Sequence, residues 1–302
     1  KKNTFSIKMK KMNKKKVIVS TWCTDDYAEF IGIKNLKNSL KYFHPEVEHD
    51  IIDSNATENI KQQLPWLQPR WMIAPTCINK TNDCDMVVHL DGDSLITGEL
   101  DELFESDADV VGVRNNNTLN QAGAHRPISI PMSTGGMDGA NISNIPFEQF
   151  LNGGLVGVQS KEFLQDWIRL NERVHQNVHF TDAVGTVRTY DEQDTLNLIV
   201  HGGKYTTQIV DQVGSGVSYG QSNAWGTGDN HWESWRQLYI KDDRLWINDP
   251  VDSTPMKVKV LHQAGGALGT ALSRQFGSFE NWLKYTVPAE VAEYIEHIIN
   301  KK

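Results

Sequence analysis

The hydrophobic positions of this chain fall into short, nearly continuous runs separated by polar turns. Lys16-Val17-Ile18-Val19-Ser20 reads as a strand buried on both faces. Thr21 to Asp26 follows as a polar turn, and apolar residues then recur at helical spacing from Ala28 to Tyr42, with Pro45 beyond the end. His49 to Asp53 predicts a second strand, so strand, helix and strand make a parallel α/β unit. A helical stretch from Trp66 to Cys77 leads into the strongest strand pattern, Asp85 to Leu90, and Asp109 to Val113 predicts another.

The segment from Arg114 to Phe147 is rich in Asn, Gly, Ser and Pro and reads as a long irregular loop, a feature usually functional or disordered. Leu151 to Val158 is strand-like with a glycine pair, Lys161 to Val174 is an amphipathic helix, and Asp191 to Val200 begins a further helix. Gly214 to Trp246 reads mostly as loop. Leu245 to Asp249 and Lys257 to Leu261 predict a hairpin ending at His262, and Phe279 to Ile299 closes the chain with helix interrupted at Pro288. The expected class is α/β, a mostly parallel central sheet flanked by helices. Residues 1–16 form a basic tail and 17–302 a single domain, with no internal repeat.

Composition narrows the functional classes. A formal net charge of -8 over 302 residues disfavours nucleic-acid binding through a basic surface. No apolar run approaches the roughly 18 residues of a membrane span. The first 16 residues carry eight lysines and no acid, which reads as a solvated tail or as a patch for peripheral contact with anionic lipid headgroups. Cys23, Cys77 and Cys84 lack the spacing of a zinc site and are too few for a disulfide scaffold, so reduced thiols and a cytoplasmic location are the expectation.

Candidate chemistry centres on Val87-Val88-His89-Leu90-Asp91-Gly92-Asp93. A buried strand here delivers two carboxylates at its C-terminal end, where open α/β sheets place ligands. Residues two apart in an extended segment project to one side, so Asp91 and Asp93 can face one cation. Oxygen ligation suits Mg²⁺ or Mn²⁺, and Gly92 leaves room for a phosphate. Such an ion would neutralise charge on a nucleotide diphosphate as a sugar departs. The competing reading is a plain Asp-Gly surface turn.

His89 to Asp93, followed by Leu100-Asp101-Glu102-Leu103-Phe104, resembles the metal-binding segment of GT-A glycosyltransferases, notably the family 8 group that includes glycogenin and bacterial galactosyltransferases. Phe150-Leu151-Asn152-Gly153-Gly154-Leu155-Val156 is similar to that group's sugar-floor segment. Tyr190 to Asn197 is similar to its D-Q-D-x-L-N segment, and Val260-Leu261-His262-Gln263-Ala264-Gly265-Gly266 to its H-x-x-G segment. The four matches occur in the family's order.

The resemblance implies a GT-A fold and sugar transfer from a nucleotide-sugar donor, UDP-linked and with retention, to a hydroxyl of a glycan, protein or lipid. It implies Mn²⁺ or Mg²⁺ held by Asp91, Asp93 and His262. Asn152, Glu192, Gln193 and Asp194 would carry the sugar chemistry, and Thr21, Trp22 and Asp26 would contact the nucleotide, with Gly265 near its phosphates. Glu192 stands where the family has Asp, and Ala267-Leu268-Gly269 replaces its usual Lys-Pro-Trp, so inversion also stays open. The aromatic stretch Trp225, His231, Trp232, Trp235, Tyr239 and Trp246 is either core or an acceptor platform.

Two other readings compete. A nucleotide-sugar pyrophosphorylase would need a glycine-rich basic loop after the first strand, and Ser20 to Asp26 has neither glycine nor base. A carbohydrate-binding module would use the tryptophans without turnover.

Overall fold

The computed structural model describes residues 15–23, 31–114, 149–175, 179–181, 187–189, 192–210, 217–218, 237–248, 253–262 and 279–301. Its centre is a six-stranded sheet in the order β2-β1-β3-β6-β5-β9. The strands are β1 (Val17–Trp22), β2 (Glu48–Ile52), β3 (Met86–Leu90), β5 (Val110–Arg114), β6 (Leu151–Val158) and β9 (Thr207–Ile209). β2, β1 and β3 run parallel, β6 is antiparallel to both its neighbours, and β5 and β9 are parallel again.

Alternation along these strands feeds two apolar layers. Val87, Val110, Val156 and Val158 face one layer, which they share with Phe163, Trp167 and Leu170 of α5 (Lys161–Val174) and Leu196 and Ile199 of α6 (Glu192–His201). Met86, Val88, Leu90, Val111 and Val113 face the other, with Leu36 and Leu40 of α1 (Ile31–Phe43) and Leu103 and Phe104 of α4 (Asp101–Phe104). Burial on both sides explains why the strands read as unbroken apolar runs.

The first layer also holds α2 (Ser54–Gln63), capped by Asp53, whose carboxylate accepts from Ala56 N at 2.9 Å. The predicted helix over Trp66–Cys77 is replaced by a turn, a 3₁₀ segment at Pro69–Trp71 and the short α3 (Ile73–Ile78). Pro69 explains the break, because a proline nitrogen has no proton to continue a helical ladder.

A smaller sheet, β10-β13-β12-β11, packs its inner face on α7 (Phe279–Thr286) and α8 (Ala289–Asn300). Its strands are β10 (Val217–Ser218), β11 (Tyr239–Lys241), β12 (Arg244–Asn248) and β13 (Pro255–Val258). The stretch read as loop through Trp246 thus contains a hairpin, turned at Asp242 and Asp243 with φ of 51° and 54°. Short polar side chains tolerate that left-handed backbone better than most, which is why the turn escapes a glycine-based search.

The hairpin predicted from Leu245 to Leu261 forms only as far as Val258. Beyond Lys259 the chain leaves that sheet, and β14 (Val260–His262) pairs antiparallel with β4 (Ser94–Ile96). β7 (His179–Thr181) and β8 (Val187–Thr189) form a separate pair. No helix among the described residues is long and apolar enough to cross a membrane, and Cys77 and Cys84 are free thiols.

Candidate metal centre

Asp91 follows β3 directly, and its N–H donates to Gly154 O on β6 at 2.9 Å. The chain then turns, with Ser94 N–H donating to Asp91 O at 3.0 Å. Asp91 and Asp93 are therefore not successive residues of an extended strand, as the spacing alone suggests. They converge because the turn folds both carboxylates towards β14, where His262 pairs in register with Ser94, the residue after Asp93.

The β14 strand is anchored just before its start. Lys259 O accepts from Thr97 N at 2.8 Å, and the buried Lys259 ammonium contacts Glu102. Its carbonyl and its charge both tie the crossover to the β4–α4 segment, which delivers His262 to the end of β3.

His262 Nε2 lies 3.3 Å from Asp91 Oδ2 and 3.3 Å from Asp93 Oδ1. One ligand atom from each residue falls within 4.8 Å of the others. Among the described residues this is the group of acids and histidine arranged to hold a cation. His262 is buried and the Asp93 side chain is 10% exposed, whereas the Asp91 side chain is 41% exposed, so the cluster has an opening.

Gly154 closes the opposite wall. A Cβ there would lie 2.4 Å from His262 Cε1 and 2.6 Å from Asp91 Oδ2, so only a glycine lets the β6 backbone come this close.

The electrostatics match a site built for a positive charge. Burial alone would lower the His262 pKa, but the facing Asp93 and Asp91 carboxylates outweigh it and hold the ring up at about 10. Burial would raise Asp91, yet its contacts with His262 and His89 carry it well below the usual carboxylate range. Asp93 is raised, by burial first, with the neighbouring Asp91 charge adding to it.

The residues fit a divalent cation. His262 Nε2 is buried and makes no properly directed hydrogen bond, although it faces two carboxylate oxygens. Two carboxylates and one imidazole suit Mn²⁺ better than Mg²⁺, which prefers oxygen donors.

Behind Gly154, α6 braces the β6 strand. Gly153 N–H donates to Gln193 Oε1 at 2.8 Å, and Asn197 closes a pair of bonds with the Leu151 backbone at 2.7 and 2.9 Å. Asn152 Oδ1 accepts from Gly154 N at 2.7 Å. The structure therefore brings Asn152 and Gln193 to the strand that walls the metal cluster, with Asp194 on the same first turn of α6.

Glu192 is committed elsewhere. Its carboxylate accepts from Ile73 N at 2.8 Å and Ala74 N at 2.9 Å, tying α6 to the start of α3.

Thr21 and Trp22 lie within β1 rather than in a turn after it. The Thr21 hydroxyl meets His49 Nε2 at 2.9 Å, and Trp22 Nε1 donates to Thr57 Oγ1 at 3.0 Å with its ring against the first apolar layer. Gly92 is buried between the two aspartates. Asp26 and Gly265 lie outside the described residues, as do Asp191, Trp225, His231, Trp232 and Trp235. Tyr239 and Trp246 face each other across β11 and β12, with the ammonium groups of Lys241 and Lys257 at 5.4 and 5.6 Å from the tryptophan ring.

Two contributors to the cluster were not singled out from sequence. His89 contacts Asp91 Oδ1 at 2.8 Å, and its signal was a polar residue inside an otherwise apolar strand, two positions before the aspartate. Gly154 was visible as one of a glycine pair, but its neighbour His262 is too far along the chain for spacing to show the contact.

No family model matches the chain, and no curated protein matches it. Among solved structures it is similar to glycosyltransferases. One is the galactosyltransferase LgtC in complex with donor and acceptor sugar analogs, at 17% identity and a TM-score of 0.48, over 93% of this chain and 95% of that one. Another is the glycosyltransferase GlyE of Streptococcus pneumoniae, at 14% identity and 0.46, over 95% of this chain and 62% of that one. A third is the bifunctional glycosyltransferase WbbM in its apo form, at 12% identity and 0.47, over 97% of this chain and 51% of that one. With all three scores below 0.5, what this chain does has to be read from its own residues.

Proposed function

We propose that this chain is a GT-A glycosyltransferase that moves a sugar from a nucleotide-sugar donor, UDP-linked, to an acceptor hydroxyl with retention of configuration. The observation that carries this reading is the convergence of Asp91, Asp93 and His262 from β3 and β14, with ligand atoms within 4.8 Å and the β6 backbone packed against them at Gly154.

Asp91, Asp93 and His262 would hold Mn²⁺. When bound, the ion supplies Lewis-acid stabilisation to the diphosphate that leaves the sugar. Gly154 lets β6 pack against these ligands, and the exposed side of Asp91 leaves donor oxygens room to approach. Asn152, Gln193 and Asp194 orient the sugar by hydrogen bonds to its hydroxyls, and Gln193 presents a neutral amide to the positive charge that develops on the ring. Glu192 serves this site as a brace, holding α6 against α3, and is removed from the set that touches sugar. The β1 end and the residues through Asp26 are assigned to the nucleotide.

Nucleotide release from a panel of UDP-, GDP-, dTDP- and CMP-sugars, with and without Mn²⁺, tests the reading. Metal-dependent release from a UDP-sugar is the expected result. Absence of release, together with no Mn²⁺-dependent binding of any nucleoside diphosphate in isothermal titration, overturns it.

A further inference from the structure

His89 is buried in β3, between Ser20 of β1 and Val156 of β6 in the strand register. Strand alternation sets it on the same face as Val87, over the layer built from α3, α5 and α6. A histidine in that position needs a reason, because an unpartnered polar ring costs free energy in a dry layer. Its Nε2 finds Asp91 Oδ1 at 2.8 Å, while Nδ1 has no hydrogen-bond partner among the described residues.

The two oxygens of Asp91 are thus divided between different neighbours. Oδ1 is taken by His89. Oδ2 faces His262 Nε2 at 3.3 Å and lies against Gly154. A carboxylate oxygen only accepts, so Nε2 of His89 is the nitrogen that donates its proton to this contact. Holding one oxygen fixes the rotation of the carboxylate and leaves the other to point at the cation.

We propose that His89 is the positioning residue of the metal centre: by donating Nε2–H to Asp91 Oδ1 it makes Asp91 a one-oxygen ligand through Oδ2. The proposal rests on the metal-site reading above. It adds that β3 itself carries the outer partner of its own terminal ligand, two residues upstream. Outer partners of this kind typically contribute about 10- to 100-fold in metal affinity.

The test uses the full chain and Mn²⁺ alone, with affinity read by titration calorimetry and the free ion counted by its electron paramagnetic resonance signal. His89→Met removes the donor at similar volume, and His89→Gln keeps an N–H near the Nε2 position. The expected result is a loss of about 10- to 100-fold for His89→Met and recovery to within about threefold of the parent for His89→Gln. A His89→Met protein that folds and binds Mn²⁺ within threefold of the parent overturns the proposal.

Should His89→Met fail to fold, nitrogen-15 NMR of the parent decides, with the His89 signals assigned by their loss in His89→Gln. A ring that carries a proton on Nε2 supports the proposal, and one protonated at Nδ1 alone overturns it. Asp91→Asn and His262→Ala separate the two levels. If both bind Mn²⁺ like the parent, the metal reading fails and His89 falls with it. If both lose binding while His89→Met keeps it, only the role of His89 is lost.

Discussion

Asp166 and Asp91 each sit at the centre of a charged cluster, one buried on α5 beside Tyr205 and the other at the end of β3. Around Asp166 every contact is a close one. Lys204 Nζ donates at 2.8 Å, Tyr205 Oη donates at 2.5 Å, and Arg169 contacts the other oxygen. The Lys204 ammonium also reaches Glu162 at 2.7 Å, and its side chain is 47% exposed. Around Asp91 there are two acids and two imidazoles, and His262 stays 3.3 Å from both carboxylates without a directed bond. The first cluster has matched its charges and is finished. The second holds its donors apart around a shared point, an arrangement that a cation would complete. Close contacts mark structure and long, convergent ones mark a ligand, although an aspartate stands at the centre of each.

The sharpest way to break this contrast is to neutralise Asp91 or Asp93. Asp91→Asn should lower Mn²⁺ affinity and metal-dependent donor hydrolysis by roughly a hundredfold or more, read by calorimetry and nucleotide release. Asp166→Asn should leave both within about twofold, because a cluster whose charges are already matched has no part in the site. Equal effects from the two substitutions would erase the distinction.

Glu192→Ala tests whether the acid beside Gln193 is a brace. Removing it strands the N–H groups of Ile73 and Ala74, and a loss of about 2–3 kcal/mol in urea unfolding is expected. Glu192→Gln should recover part of that, since an amide oxygen still accepts. A stable Glu192→Ala protein with abolished donor hydrolysis would return Glu192 to the chemistry.

Gly154→Ala and Gly157→Ala share a strand and differ in what the new methyl meets. At Gly157 the nearest atom is Val111 Cγ1 at 2.7 Å, in the apolar layer, so the cost should be about 1–3 kcal/mol with metal affinity kept. At Gly154 the methyl meets His262 and Asp91, so thermal unfolding with and without Mn²⁺ should show the metal-induced stabilisation reduced or gone.

The pH dependence follows from His262, held at about 10 in the metal-free chain. Its raised value contributes stability in full below the unfolded value of about 6.5, and that contribution is lost as pH rises through 10. A cation must displace the ring proton, so Mn²⁺ affinity should climb with pH, by up to about tenfold per unit below that value.

The smallest effect on the metal centre belongs to Asp166, where burial is opposed and overcome by Lys204, Tyr205 and Arg169, holding its pKa at about 2. A depressed carboxylate stabilises above its unfolded value of about 3.9 and loses that contribution as pH falls through 2. Asp166→Asn should cost about 1–3 kcal/mol at neutral pH, because the buried side chain keeps three partners, and should flatten the acid limb of the stability curve.

Elements were legible where both faces of a strand or one stripe of a helix are apolar. Lys161 to Val174 was bounded to the residue, because Ser160 caps its start by accepting from Phe163 N and the apolar stripe runs unbroken behind it. The β11–β12 hairpin was not legible, since its turn is built on Asp242 and Asp243 with no glycine. The helix read over Trp66–Cys77 failed because apolar spacing outweighed Pro69 in the reading, whereas in the chain the proline decides.

The sequence by itself determined the α/β class, the order of the central strands along the chain, and the identities of Asp91, Asp93 and His262 as the residues to watch. Those depend on local periodicity and residue chemistry, which are written in order along the chain. Only the tertiary structure decided that the aspartates meet across a turn, that Glu192 serves a helix start, and that His89 and Gly154 press on the same carboxylate. Each of those rests on a contact between residues far apart in sequence or on the rotation of a side chain. Both are set by packing of β3, β6, β14 and α6 together, and no window of the sequence contains all four.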